Sequence, residues 1–142
     1  MAGPGEVDPQ IKGLTALYVG WLNNCRYTVS HRAAACRLAG LTDEELERVI
    51  VGNWADFSLP TQLALRLAKE VTLNPSEVSF DDAPQCIDDN LQDRLKSCFT
   101  DPQLVELLMS ISVWNALSRF HRVMGFELDM PAPDESIDPA RR

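Results

Sequence analysis

Apolar residues recur at steps of three and four along most of the chain, the spacing that lines up one face of a helix. Ile11, Leu14, Leu17, Tyr18, Trp21 and Leu22 predict a first helix over about 10–22. Asn23-Asn24 interrupts it, and asparagine there is expected to cap a second helix running from Cys25 to Ala39, with Gly40 as its stop. Thr42-Asp43-Glu44-Glu45 reads as a capping box opening a third helix that carries Leu46, Val49, Ile50 and Trp54. Ser58-Leu59-Pro60 opens a fourth, with proline where its missing N–H costs nothing and Leu63, Ala64, Leu67, Ala68 and Val71 along one side. Ser79 with Asp82 predicts the cap of a fifth helix through Phe80, Ala83, Ile87, Leu91 and Leu95. Thr100-Asp101-Pro102-Gln103 caps a sixth, over about 102–124, closed by Gly125. Its Leu104, Leu107, Leu108, Ile111, Trp114 and Leu117 leave little polar surface, so it is expected to be the central helix. No internal repeat and no period-two run is present, and the fold class that follows is all-α, a bundle of about six helices.

Composition narrows this further. The 142 residues and 45% hydrophobic content suit one domain with a real core, and 31 Leu and Ala against 15 Ile and Val favour helices. The pattern divides the chain into a flexible N-terminus at 1–9, a helical domain at 10–126 and an acidic, Pro-rich tail at 127–142 that is expected to stay solvated. Thirteen Lys and Arg against 21 Asp and Glu give a net charge of −8, which repels nucleic-acid backbones and anionic membranes. The first ten residues lack a signal-peptide pattern and no apolar run approaches a membrane span, so a cytoplasmic location is expected. Cys25, Cys36, Cys86 and Cys98 contain no CxxC, which argues for reduced thiols over a zinc knuckle or a disulfide framework. No metal or organic cofactor is implied.

The chemically informative segment is Asn23-Asn24-Cys25-Arg26-Tyr27-Thr28-Val29-Ser30-His31-Arg32. A cysteine at a helix start faces unpaired amides and the positive end of the helix dipole, an environment that favours the thiolate. Arg26 and Arg32 add positive charge, and on a regular helix Arg32 projects close to Cys25. His31 projects about 120° away, nearer Tyr27 and Thr28, and is therefore a second-sphere base at most. Cys36, Cys86 and Cys98 read as core thiols, and His121 as a surface residue with no second ligand at metal-binding spacing.

In order, the chain shows an apolar helix running into N-x-C-x-Y, then HRAAACRLAGLTDEELE, then LALRLAKEVT, then FTDPQLVELL followed by Trp114-Asn115, Arg119 and GFELD. Over about 115 residues this set resembles the carboxymuconolactone decarboxylase and alkylhydroperoxidase D-like proteins. The resemblance implies an alkylhydroperoxidase D-like helical bundle that assembles into trimers or larger rings, with active sites near subunit contacts. Redox members carry C-x-x-C followed by a histidine, with a glutamate on the preceding helix. This chain keeps the first cysteine as Cys25, has Thr28 at the second, Gly13 at the glutamate and Arg32 at the histidine, leaving His31 one position early. The sestrins, distant relatives with Cys-x-Tyr and a histidine but no second cysteine, are similar to Cys25, Tyr27 and His31. The front of the chain is also shorter than in many relatives, so a partner chain supplying further helices is an expectation too.

Three readings stay open at this level. One is a thiol-dependent, peroxidase-like activity in which Cys25 attacks a hydroperoxide, Tyr27 and Thr28 position it, and His31 or Arg32 supplies charge or a proton. Another is a non-redox lyase or decarboxylase on a small lactone or carboxylic acid held by Arg32, His31 and Arg119. The third is a non-catalytic subunit that keeps the fold and its oligomer surfaces. The expected partners are accordingly a small-molecule substrate and further copies of the chain.

Overall fold

A computed structural model describes residues 5–142; the first four positions of the expected flexible N-terminus lie outside the described residues. The described residues form an all-α bundle of six helices with no strand: α1 (Pro9–Leu22), α2 (Arg26–Leu38), α3 (Asp43–Val51), α4 (Leu59–Leu73), α5 (Asp89–Cys98) and α6 (Asp101–Met124), plus single 3-10 turns at Asn74–Ser76 and Pro139–Arg141. No helix among the described residues is long and apolar enough to cross a membrane.

The predicted start signals close as hydrogen bonds. Thr42 and Thr100 each form a complete capping box, with Glu45 and Gln103 reaching back to the cap N–H, and the Ser58 hydroxyl accepts from the Thr61 N–H. Gly125 ends α6 in the left-handed conformation that glycine adopts without a Cβ penalty. Two local expectations are corrected. Asn23 and Asn24 do not cap α2: Asn23 ends α1, Asn24 takes the left-handed turn (φ 54°) that asparagine tolerates, and Cys25 is the residue at the N-cap. Ser79 does bond Asp82 as expected, yet the helix fails there and α5 starts at Asp89 under an Asp88 cap. Pro84 disfavours helical backbone at the residue before it, and Cys86 sits at φ 65°, so the chain cannot coil until both are passed.

The central helix is α1, not α6. Ten of its fourteen residues are buried, because α2 and α3 pack on one side and α4 and α6 on the other. Leu14, Leu17, Tyr18 and Leu22 join Val29, Leu46, Val49 and Leu65 in one core; Ile11 and Val19 join Leu63, Leu67, Leu91, Leu107 and Ile111 in a second. Helix α6 buries a single stripe and exposes Val105, Met109, Phe120 and Val123 on its outer side. Lys12, almost wholly enclosed within α1, bonds Glu106 of α6 at 2.6 Å. The same carboxylate accepts the Glu6 and Val7 N–H groups, tying down residues expected to be flexible.

The acidic tail also departs from expectation. Ile137 enters the α1/α2/α3 core at 2% exposure, and Asp138 accepts a two-pronged bond from Arg26 at 2.9 and 2.9 Å. Arg142 lies over the Trp21 ring, 4.0 Å from its centroid. Ile137, buried with Pro133 and Pro139, and the ion pairs Arg26–Asp138 and Arg37–Asp134 dock a segment whose composition reads as solvated.

Ile137→Ala should therefore cost about 2–5 kcal/mol in urea unfolding, the range for a buried isoleucine, where a solvated tail would give no change. The hydrogen bond from Lys12, aided by the Glu6 and Val7 amides, holds the Glu106 carboxyl below the usual range despite its partial burial. A depressed carboxyl contributes stability above its unfolded value and loses it as pH falls toward the folded one. The urea midpoint should thus fall between about pH 5 and 3, and fall less in Glu106→Gln.

Candidate functional site

The α1–α2 junction sets the site. With Asn24 left-handed, the Cys25 N–H closes on the Gly20 carbonyl at 3.0 Å, turning the chain sharply into α2. A Cβ on Gly20 would stand 2.7 Å from the Thr28 methyl, so the two helices meet at a contact only glycine permits. Thr28 is pressed against α1, and its hydroxyl donates to the Cys25 sulfur at 3.3 Å. The sulfur makes no bond to the α2 amides. Cys25 is 1% exposed, at the floor of an open cleft of about 380 Å³ whose walls include Tyr27, His121, Arg122 and Phe126.

Helix α6 brings the remaining polar groups. Ser118, fully buried, donates to Thr28 Oγ1 at 3.2 Å, and His121 Nδ1 lies 3.4 Å from the same oxygen. Ser118 and His121 are one helical turn apart, which puts both over Thr28. Burial, then the positive charge of His31, keeps His121 below the ordinary imidazole range, so it is neutral at pH 7. Thr28 thus stands between a thiol and a neutral imidazole, in contact with both.

Around this lies an outer ring. His31 Nε2 is 2.6 Å from Asp129 Oδ1, and the Tyr27 hydroxyl donates to Asp129 Oδ2 at 3.3 Å. The Tyr27 ring sits 4.6 Å from that of His31 and 4.8 Å from that of His121. The hydrogen bond from His31 lowers the Asp129 carboxyl below its usual range; burial, then Asp129, raises Tyr27, which keeps its proton. The Tyr27 hydroxyl and His31 Nε2 are therefore committed to Asp129 and brace the wall of the cleft.

Neither Arg32 nor Arg119, the two arginines predicted to bind substrate, lines the Cys25 cleft. Arg32 stacks on Trp114 with its guanidinium carbon 4.3 Å from the ring centroid, in a separate cleft of about 190 Å³ that Thr28, His31 and His121 also border. Its thiol neighbour is Cys36, which burial pushes up to about 11 against the pull of Arg32 and Arg37. Arg119 donates to the Asn23 side chain at 3.2 Å while Arg122 bonds the Asn23 carbonyl at 3.2 Å and Arg142 the Trp21 carbonyl at 3.3 Å. These three cations satisfy the negative end of α1. The other thiols stand apart from Cys25. Cys36 faces Gly13 and Arg32, Cys86 belongs to the α4–α5 loop, and Cys98 packs against the second core.

Of the predicted residues, Cys25 and Tyr27 line the first cleft, Thr28, His31 and Arg32 line the second along with Tyr27, and Arg119 lines neither; Thr28 links the two clefts through its bond to Cys25. Sequence reasoning missed Ser118, His121 and Asp129. The available signal was the buried polar residue within an apolar stripe: Ser118 on such a face has to find a partner, and Thr28 is that partner. No group of three or more His, Cys, Asp or Glu that could hold a metal ion occurs among the described residues.

No protein-family model matches the chain. It is 26% identical over 121 residues to the uncharacterized protein YdfG of Bacillus subtilis (strain 168), a match covering 84% of this chain and 77% of that one. Its fold is similar to the crystal structure of an uncharacterized peroxidase-related protein from Silicibacter sp. TM1040, with a TM-score of 0.74 and 18% identity. That likeness covers 96% of this chain, which spans 66% of the length of the other. The chain thus shares its all-helical architecture with a peroxidase-related protein.

Proposed function

We propose that the protein is a thiol-dependent, peroxidase-like enzyme that uses Cys25 as its single reacting sulfur. The observation that carries this reading is the Thr28 hydroxyl placed between Cys25 Sγ and His121 Nδ1 at 3.3 and 3.4 Å. A hydroxyl can accept one proton as it passes on its own. With the Thr28 hydroxyl turned to donate to His121 and to accept from the thiol, the thiol proton moves to Thr28 and the Thr28 proton to His121, leaving a thiolate that the new Thr28 O–H faces as donor. The thiolate attacks one peroxide oxygen and the O–O bond breaks. Cys25 becomes a sulfenic acid, the peroxide is reduced to an alcohol, and the leaving oxygen takes the proton held by His121. Thr28 cannot resolve the oxidised sulfur, so reset requires an external thiol: one forms a mixed disulfide with loss of water, and a second releases Cys25 as the free thiol.

Tyr27, expected to position the hydroperoxide, and His31, expected to supply charge or a proton, both serve as positioning residues in this scheme, through Asp129. The name of the structural neighbour agrees with the chemistry. Assembly into a homo-oligomer remains part of the proposal, supported by the apolar row of Val105, Met109, Phe120 and Val123 along the outside of α6.

Intact mass with a sulfenic-acid trap after stoichiometric hydroperoxide tests the reading. Wild type should add one trap at Cys25, and Cys25→Ala none. Thr28→Val, which keeps the methyl against Gly20 and removes the hydroxyl, should slow trapping about 10²-fold or more, the scale of one proton-transfer contribution. In wild type the rate should climb with pH through a midpoint below the ordinary histidine value of ~6.5, since neutral His121 is the form that accepts. That rise should vanish in His121→Gln. Trapping at Cys36 or at no cysteine, or a pH profile that survives His121→Gln, overturns the scheme.

A further inference from the structure

We propose that the second cleft, between the middle of α2 and α6, is a binding site for a small monocarboxylate held by Arg32 and the indole N–H of Trp114. Two buried side-chain nitrogens find no hydrogen-bond partner among the described residues, Arg32 Nε and Trp114 Nε1, and both belong to residues lining this one cleft. Both are donors only, so what satisfies them has to be an acceptor. Leaving such groups unmet in a buried place costs the full desolvation of each, which marks the pair as a feature to be explained.

The charge of the ligand follows from the neighbours. Arg32 forms no ion pair among the described residues, and the adjoining Cys36 thiol is held protonated by burial. His31 is occupied by Asp129, and His121 is neutral, so the cleft offers one uncompensated positive charge. A monoanion matches it where a phosphate dianion does not. The guanidinium lies over the Trp114 ring, and its planar fork of donors suits the two oxygens of a carboxylate. Leu117 and the Trp114 ring supply an apolar wall for a short alkyl chain. At about 190 Å³ the cleft lies below the ~300 Å³ at which drug-sized pockets begin, which limits the acid to a few carbons. In a chain of net charge −8, α2 holds three arginines and no acid. The site rests on no reaction at Cys25 and stands whether or not Cys25 reacts.

Titration of the ¹⁵N-labelled full chain with acetate, propionate and butyrate, followed at the indole N–H resonances, tests it. Trp114 should move in a saturable way while Trp21 and Trp54, which do not line the cleft, stay in place. Propionamide, of like shape and no charge, should leave Trp114 unmoved, and sulfate should bind at least tenfold more weakly than propionate. Arg32→Gln should weaken propionate at least tenfold with the Trp21 and Trp54 signals retained as a control for folding. Arg32→Lys, which keeps the charge and loses the fork, should weaken it as well, and Trp114→Phe should show the loss by calorimetry. A response to propionamide equal to that of propionate, no saturation, or unaltered binding in both Arg32 variants overturns the proposal. So does a Trp114 shift that follows protein concentration and ignores the acids, because a second copy would then be the acceptor.

Discussion

A helix that is apolar on every side has to be enclosed on every side, and α1 imposes that demand on the rest of the chain. Its middle is met by apolar residues of α2, α3, α4 and α6, which explains why two cores form back to back with α1 as their common wall. The polar groups it carries inward have to be met as well. Lys12 finds Glu106 near the start of α6, and the carbonyls at the other end find Arg122 from the end of α6 and Arg142 from the C-terminus. Because α6 serves both ends of α1, the two helices are held in fixed register, and His121 arrives over Thr28 as a by-product of that register.

The cleft has no single strong interaction behind it. Cys25 is placed by a backbone turn, Thr28 by close helix contact, His121 by the far end of another helix, and Asp129 by the segment beyond Gly125. Each is positioned by a different kind of force, and they converge because the α1–α2 turn and the end of α6 share one corner of the bundle. Burial then shapes the chemistry: it holds the His121 imidazole below its ordinary range, it encloses the Thr28 hydroxyl, and short polar contacts count for more than they would in solvent.

What the sequence makes legible is set by the range of the forces involved. The caps at Thr42, Ser58 and Thr100 are bonds across three residues, so their donors and acceptors can be read from adjacent letters. Cys25, Tyr27, Thr28 and His31 sit within two turns of one helix and are found together for the same reason. His121 and Asp129 join them from more than ninety residues away, through contacts that no spacing rule encodes. Local signals also mislead when a stronger constraint lies downstream, as at Ser79, where Pro84 and the left-handed Cys86 stop a helix that the cap alone would begin. The tail misled through its average: five acids and three prolines outweigh Ile137 in any composition count, yet burial acts on individual side chains, and here Ile137 goes in with two of those prolines while three of the acids find cationic partners on α2.

The contact between Gly20 and Thr28 ties two sequence positions together. Any side chain at 20 would collide with the threonine methyl, so α1 gives up helix propensity in its interior to keep that methyl and the hydroxyl beside it. A residue at 28 without the second branch, such as serine or cysteine, would remove the 2.7 Å contact and leave its own Cβ at 3.1 Å, a tight approach that a small shift of α2 would ease. The two sites are therefore expected to drift as a pair, glycine accompanying the branched residue and alanine becoming admissible with the unbranched one. That linkage makes the residue facing the sulfur a matter of backbone packing as much as of chemistry, and a chain of this fold could exchange a hydroxyl for a thiol there with little rearrangement of its core.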